Sequence, residues 1–144
     1  MSQNDIKILV TELQDKVIKS YVLVEASLNK LDPYDNNKFY SPDELEPYDA
    51  LSDRFIRCVE ICLKFFRAYE KMMFAVNSDT VRDILNQMEK LELISSTEIW
   101  MNMRNVRNKI VHDYLPTETK IMYDEIMGRF WNEFKNTKEK IIKL

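Results

Sequence analysis

The chain predicts an all-α, up-and-down bundle of about five helices, and three observations carry that reading. One glycine and four prolines in 144 residues leave too few tight turns for hairpin-rich β architecture. Apolar residues recur at three- and four-residue spacing over long stretches, the period of an amphipathic helix. Helix-start signals punctuate those stretches. With 45% hydrophobic and 31% charged residues the composition is that of one soluble globular domain over residues 1–144.

The first helix spans residues 6–31, with Ile6, Leu9, Val10, Leu13, Val17, Tyr21, Val24 and Leu28 on one side. Residues 32–48 break the period with Pro33, Pro47 and three tyrosines, giving an irregular acidic loop. Inside it "SPDE" (residues 41–44) reads as an N-cap, a proline at the first helical position and a capping-box glutamate, enough for a short helical turn. A second long helix covers residues 50–76, with Leu51, Phe55, Cys58, Cys62, Phe65 and Tyr69 inward. "NSD" (residues 77–79) ends it and caps a third helix over residues 80–91, with Ile84, Leu85, Met88 and Leu91 inward. Ser95 and Glu98 form a capping box, and Ile94 is placed to staple onto Ile99, so a fourth helix starts there and runs to about residue 113. Pro116 bars helical angles at Leu115 and stops it by Tyr114. A fifth helix runs from Thr117 to the C-terminus through Ile121, Ile126, Phe130, Phe134 and Ile141.

Charge and composition narrow the function. A net charge of −3 and a pI near 5.3 exclude a broad basic surface for duplex binding, though not a local basic patch. Cys58 and Cys62, one turn apart among phenylalanines, read as buried core thiols, since a zinc site lacks further soft ligands. No metal and no cofactor is expected. The first residues are unlike a signal peptide and no apolar run is long enough to span a bilayer, so the expected location is cytoplasmic, without membrane contact. Asp53 and Arg57 read as a surface pair, and Met72, Met73 and Met88 as core filler.

The informative stretch is "RNVRNKIVHDYLP" (residues 104–116), which holds the only histidine. On a helical wheel Ile99, Met103, Val106 and Ile110 form the core stripe, while Arg104, Asn108 and His112 share another at one-turn spacing. Trp100, Met101 and Val111 lie between Arg107 and His112 and are too apolar for a solvated face, so this side is expected to meet a second subunit. In the last turn His112 gains from the helix dipole in its protonated form and titrates near neutrality, as proton transfer requires. RNA cleavage through the 2′-hydroxyl needs a base, an acid and a cation for the phosphorane, the last a role suited to arginine. The chain has one histidine, so if histidine serves as both acid and base, the second must come from another copy.

"RNKIVHDY" (residues 107–114) resembles the R-x4-H-x-Y signature of HEPN-domain ribonuclease toxins, with Asn108 as the usual polar residue after the arginine. "ALSDRFIRCVEICLKFF" (residues 50–66) and "DILNQMEKLELISSTEIWMNMRNVRNKIVHDY" (residues 83–114) resemble two further stretches of that family. The likeness covers residues 50–116, and the first helix agrees in type only. What this implies is a HEPN-like bundle that dimerises through its motif-bearing helices and cleaves RNA without metal at a composite site. Arg107 and His112 become catalytic and Asn108 supporting; Arg104 and Lys109 are RNA-steering or merely solvated. The implied partner is a nucleotidyltransferase antitoxin of the MNT type, which transfers AMP to Tyr114. The alternative is a non-catalytic HEPN subunit that binds substrate for a two-component nucleotidyltransferase. A plain helical interaction protein is the third, least specific reading. The acidic loop, residues 32–48, is longer than the family pattern and takes no role from it.

Overall fold

The computed structural model describes residues 1–111 and 116–144. Among these there is no strand, and the chain forms an all-helical bundle with five helical arms. α1 (Gln3–Leu28) starts at a capping box in which Ser2 and Asp5 satisfy each other's backbone N–H. It ends three residues earlier than its apolar period suggests. α1 packs along the length of α2 (Pro42–Phe74), burying Val10, Val17, Tyr21 and Val24 against Leu51, Phe55, Cys58 and Cys62. Both thiols are free and buried, as the sequence predicts.

The start of α2 corrects one expectation. "SPDE" opens the whole 33-residue helix rather than an isolated turn: Ser41 and Glu44 complete a capping box, and Pro47 lies inside the helix. The proline removes one intrahelical hydrogen bond, but only in the second turn. Tyr48 and Leu51, buried just beyond it, hold the helix to the core. What is left of the irregular loop is strapped down. Tyr48 donates its hydroxyl to the Asp32 carbonyl at 2.6 Å, and Tyr34 stacks on both Tyr40 and Tyr123.

At the far end of α2, Ala75 takes a left-handed C-cap, while Met73 and Phe74 stay exposed, so Met73 is not core filler. Thr80, rather than the preceding "NSD", caps α3 (Val81–Lys90), accepting from Asp83 N at 3.1 Å. Before α4 (Thr97–Val111), Ser96 and not Ser95 stands in the capping position. Ser95 instead gives its N–H and hydroxyl to the buried carboxylate of Glu133, and Glu98 pairs with Arg82.

α5 (Pro116–Glu125), a π-helical turn (Ile126–Phe130) and α6 (Trp131–Ile142) form one continuous arm. Ile126, Phe130 and Phe134 stand four residues apart, a row that drifts about 40° per step in an ideal α-helix. The wider π turn brings the row back into line, and all three are buried. Ile121 lies five residues before Ile126, about 140° off that stripe. It is exposed, contrary to expectation, and Met122 and Tyr123 are buried in its place. No helix among the described residues is long and apolar enough to cross a membrane.

Candidate functional site

α4 crosses α2 so that Met103 and Val106 are buried in the core while Arg104, Asn105, Arg107 and Asn108 point to solvent along the junction. The expected core stripe holds at Met103 and Val106, with Ile99 partly buried, but Ile110 in the last turn is exposed. A groove of about 510 Å³ runs between the two helices. Its floor is apolar, from Ile56, Val59, Leu63 and Met103. Among the described residues its walls carry four cations, Lys64, Arg67, Arg104 and Arg107, against one carboxylate, Glu60.

The cations differ in how they are held. Arg107 donates to Glu60 at 2.9 Å, with both side chains largely in water. Arg67 donates to the Ser78 carbonyl at 2.9 Å, which fixes its stem over the α2–α3 turn. Ser78 itself is tied by its N–H and hydroxyl to the buried carboxylate of Glu70. Arg104 and Lys64 are exposed and make no ion pair among the described residues. Two anchored or paired guanidiniums and two free cations over an apolar floor suit a ligand with phosphate groups and an apolar or aromatic body.

Of the residues singled out in the sequence, Arg104, Arg107 and Asn108 therefore come together on one groove. Lys109 is half-buried and does not line it. His112 and Tyr114 lie outside the described residues. Sequence reasoning missed Glu60, Lys64 and Arg67. Their three- and four-residue spacing on α2 was visible, but such a charged row reads as a solvated face until α4 is laid beside it.

Trp100 requires a correction. It is fully buried in its own protomer, edge-on to Phe66 and Phe134, and its indole N–H donates to Glu133 at 2.7 Å. At Trp100 this side of α4 is thus covered by α6 of the same chain, while the Val111 side chain lies outside the described residues. Trp100 cannot be part of a subunit interface; Met101 is partly buried against the same core.

The model of the family described as "Nucleotidyltransferase substrate binding protein like" matches residues 16–143. The chain belongs to that family. No curated protein and no solved structure matches it. The match spans every helix from the middle of α1 to the last residues of the chain, so both walls of the groove lie within it. It agrees with the HEPN-like resemblance at the level of the family, and the family's description concerns substrate binding for a nucleotidyltransferase rather than RNA cleavage.

Proposed function

We propose that the chain is the substrate-binding subunit of a two-component nucleotidyltransferase and that it holds a phosphate-bearing substrate in the α2/α4 groove. The observation that carries this reading is the groove's charge: four cations face one carboxylate in a chain whose net charge is −3. Such a local excess attracts and orients an anion that the protein as a whole would repel. The chemistry of nucleotidyl transfer then belongs to the partner, and this chain contributes position. Reversing two groove charges, Lys64→Glu with Arg104→Glu, should leave the helical fold and the complex with the transferase intact and cut transfer by about tenfold or more. Unchanged transfer in that variant contradicts the reading.

A second reading is favoured by one specific observation. Arg107 and Asn108, the first two residues of the R-x4-H-x-Y pattern, line the same groove, and His112 and Tyr114 follow a few residues on. On this reading the chain is a metal-independent ribonuclease toxin, working as a homodimer. His112 transfers the proton, Arg107 stabilises the phosphorane, and a partner transferase silences the site by adding AMP to Tyr114. Expression alone should then arrest growth, with His112→Ala relieving the arrest. Cleavage should persist in EDTA and leave a 2′,3′-cyclic phosphate. A requirement for magnesium or a 3′-hydroxyl product contradicts it.

A further inference from the structure

The four cations of the α2/α4 groove are not spread evenly along it. α4 runs antiparallel to this part of α2, since Arg107 meets Glu60 while Trp100, nearly two turns earlier, packs edge-on to Phe66. Arg104 therefore stands level with Leu63 and Lys64. Arg67 lies one turn further along α2, where the turn into α3 closes the groove. At the Asn108 end the charge is balanced, because Glu60 already holds Arg107. At the α3 end, about 10 Å away along α2, Lys64, Arg67 and Arg104 face no lining carboxylate among the described residues.

Arg67 is fixed by a chain of contacts that begins in the core. The Glu70 carboxylate, only 2% exposed, accepts from Ser78 N at 2.8 Å and from Ser78 Oγ at 2.6 Å. Ser78, held in this way, offers its carbonyl to Arg67 Nη1 at 2.9 Å. A carbonyl orients the guanidinium without cancelling its charge, and it takes one donor of the planar fork. The rest of the fork is left for a phosphate and stands in place before the ligand arrives. Arg107 differs on both counts, because its partner is a carboxylate and both side chains are largely in water.

We infer that the groove is polarised, with Lys64, Arg67 and Arg104 forming a phosphate subsite at its α3 end and Glu70 acting through Ser78 as the positioning residue for Arg67. The inference rests on the substrate-binding reading and adds to it the way round the substrate lies. The phosphate meets the three cations. The apolar body extends over Leu63, Val59 and Ile56 toward Asn108, so the end away from the phosphate reaches the last turns of α4. The ligand class is a phosphomonoester whose charge is gathered at one end. A polymer of phosphodiesters, charged evenly along its length, would also need Arg107, which Glu60 occupies.

Phenyl phosphate, a phosphomonoester with an apolar body, is the probe. It is titrated at physiological salt into the chain carrying nitrogen and methyl labels and followed by NMR. It should move the Arg67 Nε–H signal and the methyl signals of Leu63 and Ile56, whereas inorganic phosphate should move Arg67 and leave the Ile56 methyls in place. Arg67→Gln should weaken phenyl phosphate about tenfold. Glu60→Gln, at the other end, should change it by less than about twofold. Glu70→Ala should match Arg67→Gln. Glu70→Gln, whose amide still accepts from Ser78 N and donates to Ser78 Oγ, should restore both the affinity and the Arg67 shift. Arg67→Gln tests the subsite without disturbing that buried contact, so an unfolded Glu70→Ala would not rescue the inference from a neutral Arg67→Gln. Shifts centred on Arg107, or tighter binding in Glu60→Gln with Arg67→Gln neutral, overturn the polarity while leaving the groove as the phosphate site. A 5′-hydroxyl oligoribonucleotide that binds through Arg67 as tightly as phenyl phosphate overturns the ligand class. No shift anywhere in the groove overturns both this inference and the reading beneath it.

Discussion

Arg107 Nη1 on α4 lies 2.9 Å from Glu60 Oε1 on α2, and the two side chains are 68% and 47% exposed. An ion pair so placed contributes at most about 1 kcal/mol to stability. Its consequence is for binding, because Glu60 occupies the guanidinium that an incoming phosphate would take. On the ribonuclease reading, Glu60→Gln should therefore raise the affinity for a short single-stranded RNA several-fold, and Arg107→Ala should lower it. Neither should shift the melting temperature by more than a few degrees. Fluorescence anisotropy at low and high salt checks this, since an electrostatic effect must shrink as salt rises.

Glu133 is a different kind of carboxylate. It is buried, and it accepts from Ser95 N, Ser95 Oγ and Trp100 Nε1, which ties the start of α4 to α6. Glu133→Ala leaves those donors unpaired inside the protein and should cost about 3 kcal/mol or more. Trp100→Phe, which removes one donor and some volume, should cost about 1–3 kcal/mol. Urea unfolding of both variants measures the difference.

Thr137 shows the converse. Its hydroxyl is buried without a hydrogen-bond partner among the described residues. Thr137→Val keeps the shape and removes the unpaired group, so it should stabilise the chain by about 1 kcal/mol. A lower urea midpoint for the valine variant contradicts this account of the core.

The tyrosine strap gives a pH prediction. Burial pushes the Tyr123 phenol up to about 12, and burial raises the Tyr48 phenol as well. Both folded-state values exceed the ordinary 10, so this contribution to stability is whole below pH 10 and is lost as pH rises through about 12. Absorbance titration should show part of the tyrosine ionisation delayed beyond pH 11 in the folded protein. In denaturant that delayed fraction should return to near 10.

Helix number, the α1 and α2 core faces and the buried cysteines were legible because they follow from periodicity and local capping. The errors have physical causes outside that local code. Pro47 looked like a break, yet it falls where a helix tolerates one, and the tertiary hold of Tyr48 keeps the helix running. Ser95 looked like a cap, but a carboxylate 38 residues away claims it. Trp100 looked surplus to the core because α6, which covers it, cannot be placed from the local pattern of α4. On the groove the α4 residues could be read from their spacing, while Glu60, Lys64 and Arg67 needed the helix crossing to acquire meaning.

The most direct test of the substrate-binding proposal is nucleotidyl transfer from an α-labelled nucleoside triphosphate by the nucleotidyltransferase that partners this chain. It should be measured with the transferase alone, with the wild-type chain and with the Lys64→Glu, Arg104→Glu variant. The account predicts that labelled product forms efficiently only when the wild-type chain is present, and that the variant still binds the transferase yet supports at least about tenfold less product. Transfer that is equally fast without the chain, or with the groove charges reversed, would contradict it.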